Sequence, residues 1–194
     1  AAACTVSLVV LLLTLVMPFI AGFAPRTIPV TGTVYSLAQG YAIACVSVLY
    51  AAEYREIVWL ALGLTLLIIL VMLLVYRSGM IRVTHRFTTV LRTVLFTLII
   101  ASILVGLCAF FPGTRVVYDH VINNPALSIG GGVLFIVLAA LFLLSDFECI
   151  RRTVERRLPK QAEWIAAYGL AFTVIWLYLK VLSLLARVKR NFIF

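Results

Sequence analysis

The sequence predicts an all-α, polytopic membrane helix bundle, and three observations carry that prediction. Of 194 residues, 64% are hydrophobic and only 12% are charged. A soluble domain is closer to half apolar, and the mean hydropathy here is +1.17. Several runs approach or exceed the roughly 20 apolar residues that cross a bilayer as a helix. Backbone groups in lipid must be satisfied within the segment, so such runs are helices rather than open strands.

Six spans are visible in one transmembrane domain over residues 1–194. The first, about 6–23, has neither the basic start nor the small-residue cleavage site of a signal peptide. It reads as a genuine span kinked at Pro18. After Ala24-Pro25-Arg26, the second covers about 28–51, with a softer interior of Thr31, Thr33, Ser36, Gln39, Gly40 and Ser47. Small and polar residues let membrane helices approach closely and hydrogen-bond across the interface. Gln39 on this face is a candidate to line a cavity, with a packing role as the alternative. Glu53, Arg55 and Glu56 predict a tight turn into the third span, 57–76, which is nearly all Leu, Ile and Val and so faces lipid. It stops at Arg77-Ser78-Gly79, where Gly79 is suited to a left-handed cap.

The fourth span covers about 90–111 and ends at Pro112-Gly113. The fifth, 126–146, opens with Gly130-Gly131-Gly132, which suggests close helix contact or a local break. A phosphate cradle is not indicated, because no Lys-Ser/Thr follows. The fifth span ends at Asp146, and the sixth covers about 164–187.

Basic residues alternate between loops. Arg26 lies in the first, Arg77, Arg82 and Arg86 in the third, and Arg151, Arg152, Arg156, Arg157 and Lys160 in the fifth. The intervening loops hold only Arg55 and Arg115. The positive-inside rule therefore places the odd loops in the cytoplasm. Both ends of the chain then face outward, against which Arg187, Lys189 and Arg190 stand as an inconsistency. The net charge of +9 belongs to these loops and favours anionic lipid. No basic stretch interleaves with aromatics on a soluble module, so nucleic acid is not an expected partner.

Other chemistry is thin. Cys4, Cys45, Cys108 and Cys149 are scattered without a CxxC pair and read as free thiols, with no metal site. His85 and His120 fall in separate loops. HExxH, GxGD and a Gly-flanked nucleophilic Ser are all absent, so no enzyme and no cofactor are expected.

The last hairpin, residues 141–190, carries the functional signal. An ionisable residue inside a span costs at least about 2.5–3.5 kcal/mol and is a functional hypothesis by default. Asp146 ends one apolar helix, and Lys180 lies within the next. Ala166, Gly169, Thr173, Trp176, Lys180, Ser183 and Arg187 fall at three- and four-residue spacings. Helical period puts them on one stripe, expected to turn inward. Thr173 and Ser183 are thus further candidates to line a cavity. With the hairpin turning near Pro159, Asp146 and Lys180 stand eight residues out of register, about 12 Å along a helix. Direct pairing is one reading. In the other, Asp146 sits at the interface and Lys180 snorkels outward.

The stretches SDFECI and AEWIAAYGLAFTVIWLYLKVLSLLARV resemble the C-terminal part of the Bax inhibitor family, in its bacterial YccA-like branch. YSLAQGYAIACVSVLYAAEY and YRSGMIRVT are similar to that branch too, so the resemblance covers nearly the whole chain. It implies seven membrane helices with the last one central, so that one helix would precede the six seen here. It also implies residence in the bacterial plasma (inner) membrane and a pH-sensitive calcium leak built on two facing acids in the last two helices. Asp146 matches the first acid in its SDF context. The second would fall after WLYL, where this chain has Lys180, and Gln39 stands where the branch often has Glu before Gly. An acid opposite an ammonium forms an internal ion pair and repels calcium. The expected function is therefore an ion leak for calcium or protons, with Asp146 as the pH-responsive group and Lys180 as its fixed counter-charge. The alternative is a non-enzymatic membrane regulator that binds a membrane AAA protease in protein quality control.

Overall fold

A computed structural model of the chain describes residues 27–108, 115–116 and 124–192. The expected first span, Cys4, Asp119, His120 and the end of the fourth span lie outside them. Every element among the described residues is a helix: α1 (Ile28–Arg77), α2 (His85–Cys108), α3 (Pro125–Glu155) and α4 (Lys160–Phe192). Four segments are long and apolar enough to cross a membrane: Glu56–Arg77, His85–Cys108, Ala126–Glu155 and Lys160–Arg190. Large apolar side chains stand outward along them, among them Leu66, Leu70, Phe96, Ile100 and Leu134. Such a surface suits hydrocarbon rather than water.

The α3–α4 hairpin sets the frame. Asn124 caps α3, its Oδ1 accepting from Ala126 N at 3.0 Å, with Pro125 next in the first turn where a missing N–H costs nothing. The helix does not stop at Asp146 as expected but continues to Glu155, because neither Gly nor Pro interrupts residues 133–155. It ends in a Schellman arrangement: Leu158 N donates to Thr153 O and Arg157 N to Val154 O, both at 3.1 Å. Arg157 takes the left-handed position, φ 47°, that glycine usually fills. Pro159 then precedes α4. The two helices run antiparallel, with Ser128 meeting Arg187 at one end and Asp146 meeting Gly169 near the other.

Contacts show that α1 doubles back. Tyr35 packs on Tyr168, ring centroids 5.1 Å apart, and the Ser47 and Tyr178 hydroxyls share a 2.8 Å hydrogen bond. The first half of α1 thus runs parallel to α4. Ile57 and Ala61 then join a core with Leu143, Leu177, Val181 and Leu182. Tyr76, further on, reaches Phe147 and Glu148 beside the α3–α4 turn. In a straight helix Tyr35 and Tyr76 would stand about 60 Å apart, yet both contact the same end of the hairpin. The axis therefore reverses between Ser47 and Ile57, where the sequence predicts a turn. The residues on both sides of that reversal are helical, and the apolar span after it begins at Glu56. No Gly or Pro occurs from 41 to 62, and Ala51-Ala52-Glu53 are strong helix formers.

The α1–α2 link begins at Gly79, which adopts φ 70°, the left-handed cap that the sequence suggests. Arg152 Nη2 donates to Val83 O at 3.4 Å, and Gly32 lies against the Tyr168 ring. The start of α1, the α1–α2 link and the α3–α4 turn thus share one end of the bundle, as the alternating basic loops require. His85 is the first residue of α2 rather than a loop residue. Among the described elements α2 packs only on α3, whereas α4 packs on both α1 and α3. Accordingly 33% of the α4 span is buried against 6% of α2. The most central described helix is α4.

Candidate functional site

The polar stripe of α4 turns inward onto α3, as its helical spacing predicts. Trp176 packs edge-on against Phe135 and Phe142. Arg187 Nη1 donates to Ser128 Oγ at 2.8 Å. Ala166 and Thr173 are buried. The stripe therefore brings Asp146 and Lys180 onto one helix–helix seam.

It does not bring them together. Asp146 faces Gly169, whose missing side chain leaves room: an added Cβ would lie 3.6 Å from Asp146 Oδ1. The Thr173 hydroxyl is the neighbouring polar group, and it donates to Gly169 O at 3.1 Å. Lys180 instead lies over Phe135, with Nζ 4.5 Å from the ring centroid, a cation–π contact. Phe135 and Asp146 are eleven residues apart on α3, about 16 Å along the axis. The expected ion pair is thus absent. The reason is the hairpin register, since continuing α3 to Glu155 and starting α4 at Lys160 pairs Asp146 with Gly169.

Two buried polar atoms here have no partner among the described residues, Asp146 Oδ2 and the Tyr168 hydroxyl. They stem from one turn of the α3–α4 seam. Unsatisfied buried groups are rare and tend to mark function. Tyr168 continues into an aromatic cluster with Tyr35, which stacks on Phe172 at 6.2 Å. Gln39 Nε2 donates to the Tyr35 hydroxyl at 3.0 Å. Gln39 therefore orients Tyr35 in the wall behind Tyr168. Ser183 lines a cavity of about 390 Å³, together with Lys180 and Arg187.

Sequence reasoning missed Glu148. Although 7% exposed, it is fully partnered. Arg151 Nη2 and Arg152 Nε donate to Oε1 at 2.8 and 2.7 Å. Arg151 Nε and the Tyr76 hydroxyl donate to Oε2 at 2.9 and 2.7 Å. The i+3 and i+4 spacing of the two arginines was the available signal; Tyr76 is distant in sequence and gave none. No group of three or more His, Cys, Asp or Glu suited to a metal occurs among the described residues. Cys45 and Cys149 are free thiols.

A family model described as Bax inhibitor 1 like matches residues 1–190. The chain belongs to the Bax inhibitor 1 like family. It matches no curated protein and no solved structure. Family and apolar helices together make this Bax inhibitor 1 like protein an integral membrane protein. Within it the half-buried Asp146 carboxyl and the half-buried Lys180 ammonium occupy separate sites on one seam.

Proposed function

We propose that this Bax inhibitor 1 like protein is a passive, pH-sensitive ion leak of the bacterial inner membrane, with Asp146 as its ion-responsive group. The observation that carries this reading is Asp146 Oδ2, buried without a partner among the described residues where Gly169 bares the facing helix. An ionised carboxylate without a partner is costly to bury, so such a group holds either a proton or a cation. Lys180 lies further along the same seam. It acts there as an electrostatic barrier that favours protons and monovalent cations over calcium, rather than as the counter-charge of Asp146.

The test is flux into proteoliposomes at pH 6 and pH 8, with calcium and proton reporters, for the natural chain and Asp146→Asn. Flux that changes with pH and drops at least tenfold in Asp146→Asn supports the leak. Absence of flux in the natural chain at both values overturns it and favours the regulator that binds a membrane AAA protease.

A further inference from the structure

Lys180 and Arg187 occur on one face of α4, two turns apart, and both line the cavity of about 390 Å³ between α2, α3 and α4. That volume lies within the roughly 300–1,000 Å³ of small-ligand pockets. Its polar lining is Ser102, Ser128, Ser183 and the two cations, and no described lining residue is an acid. Arg187 spends one Nη on Ser128, and Lys180 meets only the face of Phe135 among the contacts described. Two like charges directed into one cavity at membrane depth repel each other and are costly to desolvate. An anion between them reverses both penalties. Hydroxyls beside the cations supply further donors.

We propose that this cavity is an oxyanion site of the phosphate class, held by Lys180 and Arg187. The phosphate of an anionic phospholipid and a free phosphate ion present the same chemistry to it. Lipid has a lateral route, because α2 packs only on α3 among the described elements. The proposal shares Lys180 with the leak reading but rests on a different observation, the cavity lined by Lys180 and Arg187, whereas the leak reading rests on Asp146.

The full chain in phosphatidylcholine nanodiscs is titrated with phosphatidylglycerol, or with inorganic phosphate at constant ionic strength, and followed by thermal unfolding and bound phosphorus. The natural chain and Lys180→Arg are expected to bind at least one probe. Lys180→Gln and Ser183→Leu, which fills the cavity, are expected to bind at least tenfold more weakly. Arg187→Gln should behave likewise; should it fail to fold, the other two variants still decide. Binding of phosphatidylglycerol alone assigns the site to lipid, and binding of inorganic phosphate assigns it to a soluble anion; either supports the proposal. Binding of neither probe overturns it, as does equal affinity in Lys180→Gln.

Discussion

The Tyr76 hydroxyl donates to Glu148 Oε2 at 2.7 Å, joining residues 72 positions apart in the chain. This contact fastens the returning end of α1 to α3 beside the turn into α4. Arg151 and Arg152 complete the shell around the same carboxylate. Charge-assisted bonds to a buried group are the strong ones.

Glu148→Gln keeps the shape and removes the charge, so it should destabilise by about 2 kcal/mol. Tyr76→Phe removes one of four bonds and should cost about 1 kcal/mol. The double variant should lose less than the two separate losses together, since both act on one network. Thermal unfolding in detergent measures all three. A Glu148→Gln protein no weaker than Tyr76→Phe would show that the arginines do not depend on that charge.

The Ser47–Tyr178 bond at 2.8 Å should show an asymmetry. Ser47→Ala strands the hydroxyl of buried Tyr178, with an expected loss of about 1–2 kcal/mol. Ser47→Ala with Tyr178→Phe removes both partners and should recover most of that loss. Chemical denaturation midpoints of the single and double variants decide it.

Arg157 occupies a left-handed backbone position, φ 47°, which costs a side-chain-bearing residue roughly 1–2 kcal/mol. Arg157→Gly should therefore raise stability by about 1 kcal/mol, despite the larger unfolded-state entropy of glycine. A lower unfolding temperature would mean that the arginine side chain contributes more than its backbone costs.

The glycine run should separate by neighbour. Gly131 has nothing within 4 Å of an added Cβ, while at Gly132 that atom would lie 2.9 Å from Leu184 Cδ1. Gly131→Ala should gain roughly 0.5–1 kcal/mol from helix propensity. Gly132→Ala should gain less or lose, because Leu184 must move. Equal gains in unfolding temperature would mean that Leu184 yields freely.

The shared end of the bundle predicts labelling. With Cys4, Cys45, Cys108 and Cys149 replaced, cysteines at Arg82 and Arg156 should react with an impermeant reagent from the same side of the membrane. A cysteine at Ala126 should react from the other. The positive-inside rule predicts that the first side is the cytoplasm. Arg82 and Arg156 labelling from opposite sides would contradict the Arg152–Val83 contact.

Composition alone determined the class, because 64% apolar residues leave hydrocarbon as the only adequate solvent for so much surface. Periodicity determined that Gly169, Thr173, Trp176, Lys180 and Arg187 share an inward face, since helical period is a local property. The cap at Gly79 was likewise legible from its type and place. What lay across from each residue was not. The register of α3 against α4 depends on where two helices end, and α3 runs past Asp146 to Glu155. Apolar content does not mark that boundary, because Glu148, Arg151 and Arg152 satisfy one another and prolong the helix. Only the tertiary structure could therefore set Asp146 against Gly169, move Lys180 onto Phe135, and bring Tyr76 to Glu148. These are relations between distant segments, and packing geometry rather than local propensity decides them.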